Sequence, residues 1–203
     1  MTIRLLLADD QHLIRAGLAA LLNLEDDLEV VHQLADGAGV VDAIRAHRVH
    51  VAILDIEMPE VDGITATQHI SDAFGSDVAI LILTTFGRAG YLQRAMAAGA
   101  RGFMVKDAPA DQLAEAIRTV HHGGTAVDPT LAAEALSTGA NPLTVRERDV
   151  LKAALTGASV KTIAVQVHLS AGTVRNHLSS AIGKTQTSNR SEAAQTAQLK
   201  GWL

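Results

Sequence analysis

Up to about residue 122, short apolar runs alternate with stretches in which apolar residues recur every three or four positions. Ile3 to Ala8, Leu28 to Leu34, Val51 to Leu54, Val78 to Thr84 and Gly102 to Val105 read as strands. Gln11 to Asn23, Gly37 to His47, Ile64 to Asp72, Tyr91 to Ala98 and the segment opened by Pro109 read as helices. Runs this short, closed by residues such as Pro59 and Asp62-Gly63, suit strands buried on both faces. Five strand–helix alternations predict an α/β domain, a doubly wound five-stranded parallel sheet.

The pattern changes after that. Residues 123 to 141 hold glycines, Pro129 and a short alanine-rich patch from Leu131 to Leu136, and read as a linker. From 142 to 203 the strand signal is gone and four helical segments follow, about 144–155, 161–167, 171–184 and 190–200. Thr144 and Glu147 have the spacing of a capping box. A short helix, the turn His168-Leu169-Ser170 and a longer helix that Ser170 can cap make a helix-turn-helix, so this part reads as a small all-α domain.

Charge sharpens the division. The net charge of −5 over 203 residues combines −10 in residues 1–140 (9 Lys+Arg, 19 Asp+Glu) with +5 in residues 141–203 (8 Lys+Arg, 3 Asp+Glu). The basic part is a candidate for nucleic acid. The absence of cysteine excludes disulfides and thiolate metal sites. No run of 18 apolar residues is present, so no membrane association is expected and a soluble, cytoplasmic protein is. The nine histidines include only one adjacent pair, His121-His122, and none has a metal-motif spacing.

In a parallel sheet the strand ends gather at one edge. That brings together Asp9 and Asp10 after the first strand, Asp55 after the third, Thr84 after the fourth and Lys106 after the fifth. Taken singly, each has a plainer explanation. Asp55 can be a turn residue, Asp10 a cap for the helix opening at Gln11, Thr84 an ordinary strand residue and Lys106 a solvated charge. Together they place three carboxylates in one cleft, which calls for a cation, and hard oxygen ligands suit Mg²⁺. Such a site lets one carboxylate attack a phosphoryl group while metal, lysine and threonine hold its oxygens.

In the longer helix of the helix-turn-helix, Val174, Leu178, Ala181 and Ile182 share a face that must be buried. Arg175, Asn176, Ser179 and Ser180 are left outside. Arg pairs with guanine and Asn with adenine in the major groove, although an ordinary polar helix face has the same look.

Residues 1–122 resemble a two-component response-regulator receiver domain, a flavodoxin-like fold, through Asp9-Asp10, Asp55-Ile56-Glu57-Met58-Pro59, Thr84-Thr85 and Gly102-Phe103-Met104-Val105-Lys106. The resemblance implies that Asp55 is the phosphoacceptor. It also implies that Asp9, Asp10, Asp55 and the backbone carbonyl of Glu57 hold Mg²⁺, that Lys106 ties to the phosphoryl oxygen, and that Thr84 and Phe103 are the switch pair. Receivers usually follow the lysine with proline; here Asp107 follows. Glu57 and Phe86 stand where receivers flank the hydrolytic water, and the apolar Phe86 predicts a long-lived phosphoryl group.

Residues 141–203 resemble the LuxR/FixJ-type output domain through Leu143-Thr144-x-Arg146-Glu147, Ile163-Ala164, Ser170-x-Gly172-Thr173-Val174, His177-Leu178 and Asn189-Arg190. That resemblance implies base contacts from Arg175, Asn176 and Ser179 and phosphate contacts from Lys161, Thr173 and His177. Thr162 replaces a usual glutamate. Thr185 and Thr187 replace the Leu and Val that pack the last helix, which predicts loose docking of that helix and a modestly stable domain.

The whole is therefore similar to NarL/FixJ-type response regulators. Asn23 to Asp27, Leu83 to Phe86 and Gly172 to Asn176 are similar to the DesR-like branch, which controls membrane-lipid desaturation. The implied function is a transcription factor, not an enzyme, phosphorylated on Asp55 by a sensor histidine kinase and binding double-stranded promoter half-sites as a homodimer. The first predicted helix offers Ile14, Leu18 and Leu21 to the core, and Leu13, Ala16, Gly17, Ala20 and Leu24 to a dimer patch. Two alternatives stay open: a phosphate-independent (orphan) regulator of the same fold, and a magnesium-dependent aspartyl phosphatase of the haloacid-dehalogenase kind. Against the second, its Asp-x-Asp-x-Thr run is missing.

Overall fold

The computed structural model describes residues 2–85, 89–138 and 141–203. The chain divides into two compact units, one within the residues up to Ala133 and one made mainly of Glu134–Leu203.

In the first unit the strands are β1 (Ile3–Ala8), β2 (Leu28–Leu34), β3 (Val51–Asp55), β4 (Ala79–Thr84), β5 (Gly102–Val105) and β6 (Ala126–Val127). Helices α1 (His12–Leu22), α2 (Val40–His47), α3 (Gly63–Phe74), α4 (Ala89–Ala97) and α5 (Ala110–His121) lie between them. Among the described residues the strands form one sheet in the order β2-β1-β3-β4-β5-β6, every neighbouring pair parallel. The order reverses between β1 and β3, the switch point where doubly wound sheets open a crevice at their C-terminal edge.

The sheet has six strands, not the five expected. Within residues 123 to 141, read as linker, the chain forms β6 and then α6 (Pro129–Thr138). A two-residue strand set between a Gly-Gly pair and an Asp-Pro pair is too short to show strand periodicity.

Why these runs are strands is visible in their burial. Every residue of β3 and β4 is buried, as continuous apolar runs in a covered parallel sheet should be. Edge strand β2 instead mixes buried Leu28 with exposed Glu29 and breaks register opposite Leu5/Leu6, a bulge that blunts the edge. Leu5, Leu7, Ile53, Leu81 and Leu83 pack with Leu113, Ile117 and Val120 of α5 and with Ala19 and Leu22 of α1. Leu21, expected in that core, is exposed, with Leu22 and Ala19 inside instead. The helix is therefore rotated relative to the face expected for it.

The second unit holds α7 (Val145–Ala154), α8 (Val160–Gln166), α9 (Ala171–Thr185) and α10 (Arg190–Leu199) around a core of Val150, Leu151, Ile163, Val174, Leu178, Ala193 and Trp202. All four helices begin on a side-chain cap: Thr144, Ser159, Ser170 and Asn189. Each cap contributes about 1 kcal/mol, a large share for so small a core. The two threonines expected to loosen the last helix satisfy their own hydroxyls. Thr185 Oγ1 donates to Ala181 O at 2.8 Å and lies 2.9 Å from Thr187 Oγ1. Beside them α10 buries Ala193, Ala194 and Ala197.

Candidate functional site

The first cluster sits where β1, β3, β4 and β5 end. Asp9 and Asp55 are buried, and the Lys106 ammonium lies 2.7 Å from Asp9 Oδ2 and 3.1 Å from Asp55 Oδ1. Lys106 reaches this position because its backbone N–H donates to Thr84 O at 2.8 Å, continuing the β4–β5 ladder past its last paired residues. Asp9 is held from three sides. Its N–H donates to Leu34 O, its Oδ1 accepts from Gln11 N–H at 2.9 Å, and its carbonyl accepts from the Arg15 guanidinium. The Gln11 backbone N–H is thus taken by Asp9, and α1 begins at His12 with Gln11 as an N-cap that makes no side-chain bond, so Asp10 does not have the capping role that was its plainer explanation.

Asp10 is exposed at the mouth of the cluster, and one carboxylate oxygen from each of Asp9, Asp10 and Asp55 falls within 4.8 Å of the others. Burial pushes the Asp55 carboxyl above the usual range; Lys106 opposes this by charge and hydrogen bond, and Asp9 adds to it. Two buried carboxylates on one ammonium leave negative charge uncompensated. An all-oxygen donor set with an exposed third carboxylate fits a hard divalent cation such as Mg²⁺. Thr84 is buried at the end of β4, and Phe103 is wholly enclosed in β5. Glu57 is exposed two residues beyond Asp55. Phe86 lies outside the described residues.

Gly63 is a site residue that sequence reasoning took only for a turn. Its N–H donates to Ile56 O at 3.0 Å, and a Cβ there would stand 2.0 Å from Asp55 O. The first turn of α3, capped by Asp62, therefore packs directly on the backbone of Asp55. The sequence signal is glycine directly after a capping aspartate, where other residues would serve a turn equally well.

The second cluster lies on α8 and α9. Val174, Leu178 and Ala181 are buried, and Arg175, Asn176 and Ser179 are exposed on the opposite face. Thr173 and His177 are half-buried, and Lys161 is exposed in the first turn of α8. Thr173 also belongs to the α9 cap: its N–H donates to Ser170 Oγ at 3.0 Å, and the two hydroxyls are 2.8 Å apart.

Behind the exposed face lies Glu147, a buried carboxylate that the sequence marked only as half of a capping box. It accepts from Thr144 N–H at 2.7 Å, Ser180 Oγ at 2.6 Å and Lys184 Nζ at 2.7 Å, pinning α9 to the start of α7. Burial pushes its carboxyl up, but the bonds from Lys184, Ser180 and Thr144 outweigh that and hold it at about 2.

A parallel sheet with a carboxylate cluster at its switch point, joined to a capped helix-turn-helix, defines a two-domain regulator class, and the comparisons agree. Residues 5–118 match the response regulator receiver domain and residues 141–197 the bacterial regulatory proteins of the luxR family. The chain belongs to the NarL/FixJ-type response regulators, transcriptional regulators with a receiver and a helix-turn-helix DNA-binding domain. It is 42% identical to the transcriptional regulatory protein DesR of Bacillus subtilis over 99% of both chains. It is 41% identical to the uncharacterized transcriptional regulatory protein YvfU of the same organism, over 99% of this chain and 100% of that one. Among solved structures, the response regulator ChrA of a heme-sensing two-component system matches at 32% identity with a TM-score of 0.60, over 100% of this chain and 99% of that one. Among the described residues no helix is long and apolar enough to cross a membrane.

Proposed function

We propose that this regulator is switched by phosphorylation of Asp55 and that the switched form binds DNA as a homodimer. The observation that carries the reading is the Lys106 ammonium shared by two buried carboxylates, 2.7 Å from Asp9 and 3.1 Å from Asp55. A histidine kinase presents a phosphohistidine. An Asp55 carboxylate oxygen attacks its phosphorus, the P–N bond breaks, and the imidazole leaves with the electron pair and takes a proton. The product is an acyl phosphate.

Asp9, Asp10, Asp55 and the Glu57 carbonyl would hold Mg²⁺, whose chemistry here is to neutralise phosphoryl oxygens. Lys106 is placed to exchange its Asp55 contact for a phosphoryl oxygen, and buried Thr84 lies at the neighbouring strand end to accompany it. Phe103 is wholly enclosed, so its part in switching is a readjustment within the core.

For the dimer, Leu13, Ala16, Gly17, Ala20 and Leu24 of α1 and its end are all exposed, Leu13 at 84% and Leu24 at 78%. An apolar strip of this kind suits a second copy of the same face. In the second unit Arg175, Asn176 and Ser179 would read base edges, with Lys161, Thr173 and His177 on the phosphates. The aspartyl phosphatase reading would leave the capped helix-turn-helix without a role.

Incubation with acetyl phosphate and magnesium tests the reading. Stable one-to-one labelling, absent in Asp55→Ala, is the expected result. Continuous release of phosphate without a labelled protein would favour the phosphatase.

A further inference from the structure

We propose that β6 and Asp128 form a latch between the phosphorylation site and the start of α6, a proposal that rests on the reading of Asp55 as phosphoacceptor. β5 is four residues long and serves two neighbours. Just beyond its C-terminal end is Lys106, in contact with Asp9 and Asp55. Along its outer edge runs β6, in register Gly102↔Ala126 and Phe103↔Val127.

Two backbone hydrogen bonds bracket that pairing. Ala126 N–H donates to Arg101 O, and Asp128 N–H donates to Phe103 O, both at 3.0 Å. The Arg101 side chain adds a bond to Gly123 O at 2.8 Å, in the turn that leads into β6. The carbonyl that holds Asp128 thus belongs to the residue whose ring fills the interior beside the switch.

Asp128 then changes role within one residue. Its Oδ1 accepts from Thr130 N–H at 2.8 Å and from Leu131 N–H at 3.2 Å, and its carbonyl accepts from Ala132 N–H at 2.9 Å. One residue is both the last rung of the sheet and the cap of α6. The helix starts where it does because the rung holds its cap in place.

Among the described residues β6 is an edge strand with one neighbour and a register of two residue pairs, the shortest element of the sheet. The net worth of a few such hydrogen bonds falls in the range of typical allosteric coupling, about 5- to 150-fold in an equilibrium constant. A coupling of that size opens a pairing this short and leaves the interior strands, paired on both sides, closed. The latch is closed in the structure, and phosphorylation acts by loosening it.

Amide hydrogen exchange on the full chain, before and after labelling with acetyl phosphate and magnesium, reads the latch residue by residue. Labelling is expected to speed exchange at Ala126, Asp128 and Ala132 by at least about fivefold, while amides of β3 stay protected. Ala126→Pro removes one rung and leaves the cap atoms in place. This variant should be labelled like wild type but show fast exchange at Asp128 and Ala132 already without phosphate, and no further response. Asp128→Ser, which keeps both the N–H and a capping oxygen, should respond as wild type does. Labelling of Asp55 with no change at these amides overturns the latch, as does a full response in Ala126→Pro. Failure of Asp55 to label removes the phosphorylation reading itself, and the latch with it.

Discussion

The two units place the residues proposed to act in opposite settings. In the first, Asp9, Asp55, Thr84 and Phe103 are buried, and a sheet holds them from below. In the second, Arg175, Asn176 and Ser179 are exposed, and what is buried is the support behind them, Glu147 with its bonds to Ser180 and Lys184. Chemistry on a small phosphoryl group needs charges desolvated and fixed, because low dielectric strengthens each contact. Reading a long duplex needs side chains that stand out on a rigid helix. The means of stabilisation follow the same division. Helices α1, α2 and α5 begin without side-chain caps and rely on the sheet, with α3 capped by Asp62, whereas α7 to α10 are all capped.

The largest effect that tests this contrast is expected at Gly63. Gly63→Ala forces a Cβ to within 2.0 Å of Asp55 O unless α3 moves. Overpacking of this kind costs about 1–3 kcal/mol, and backbone on both sides puts this position at the upper end. Thermal unfolding should show the loss in the first unit's transition, with acetyl phosphate labelling slowed and the second unit's transition unmoved.

Next comes Glu147. Its folded-state pKa of about 2 against an ordinary 4.5 corresponds to about 3 kcal/mol. Because the folded value is depressed, that stability is fully present above about pH 4.5 and is lost as pH falls toward 2. Glu147→Gln should remove most of it at neutral pH and flatten the acid dependence of the second unit, measured by chemical denaturation between pH 6 and about pH 3.

The smallest effects on stability lie on the exposed face. Arg175→Ala should cost about 1–3 kcal/mol of specific DNA binding and relax preference at one base pair, whereas Lys161→Ala should weaken all sequences alike and lower the salt slope by about one. Neither should move the unfolding transition, as befits side chains with no role in the core.

The same contrast decides what could be read from the sequence. Asp9, Asp10, Asp55, Thr84 and Lys106 were legible because polar residues stand out at the ends of apolar runs, and a parallel sheet dictates that such ends converge. Arg175 and Asn176 carry no such mark. A polar residue on an outer helix face looks ordinary, and only the local charge of +5 and the family resemblance singled them out. Three features escaped for physical reasons. β6 is two residues long and exists only through its bonds to β5. Leu21 and Leu22 are adjacent leucines, and periodicity alone does not choose between them when the helix has apolar residues on more than one face. Gly63 is needed because of what lies across from it, which is backbone far from its own segment's pattern. The threonines at 185 and 187 looked like missing apolar contacts, yet their hydroxyls pair with each other and with the helix, and α10 docks through its alanines instead.

The claim that joins the units is that chemistry at Asp55 changes what the second unit does. DNA sites selected from a random duplex pool by phosphorylated protein, then measured at one fixed salt concentration, test it directly. Phosphorylation should tighten binding of wild type to those sites by about tenfold or more, with Asp55→Ala unresponsive to acetyl phosphate and held at the weak level. If Asp55→Ala binds the same sites as tightly as the phosphorylated protein, the switch is contradicted and the chain is a phosphate-independent regulator.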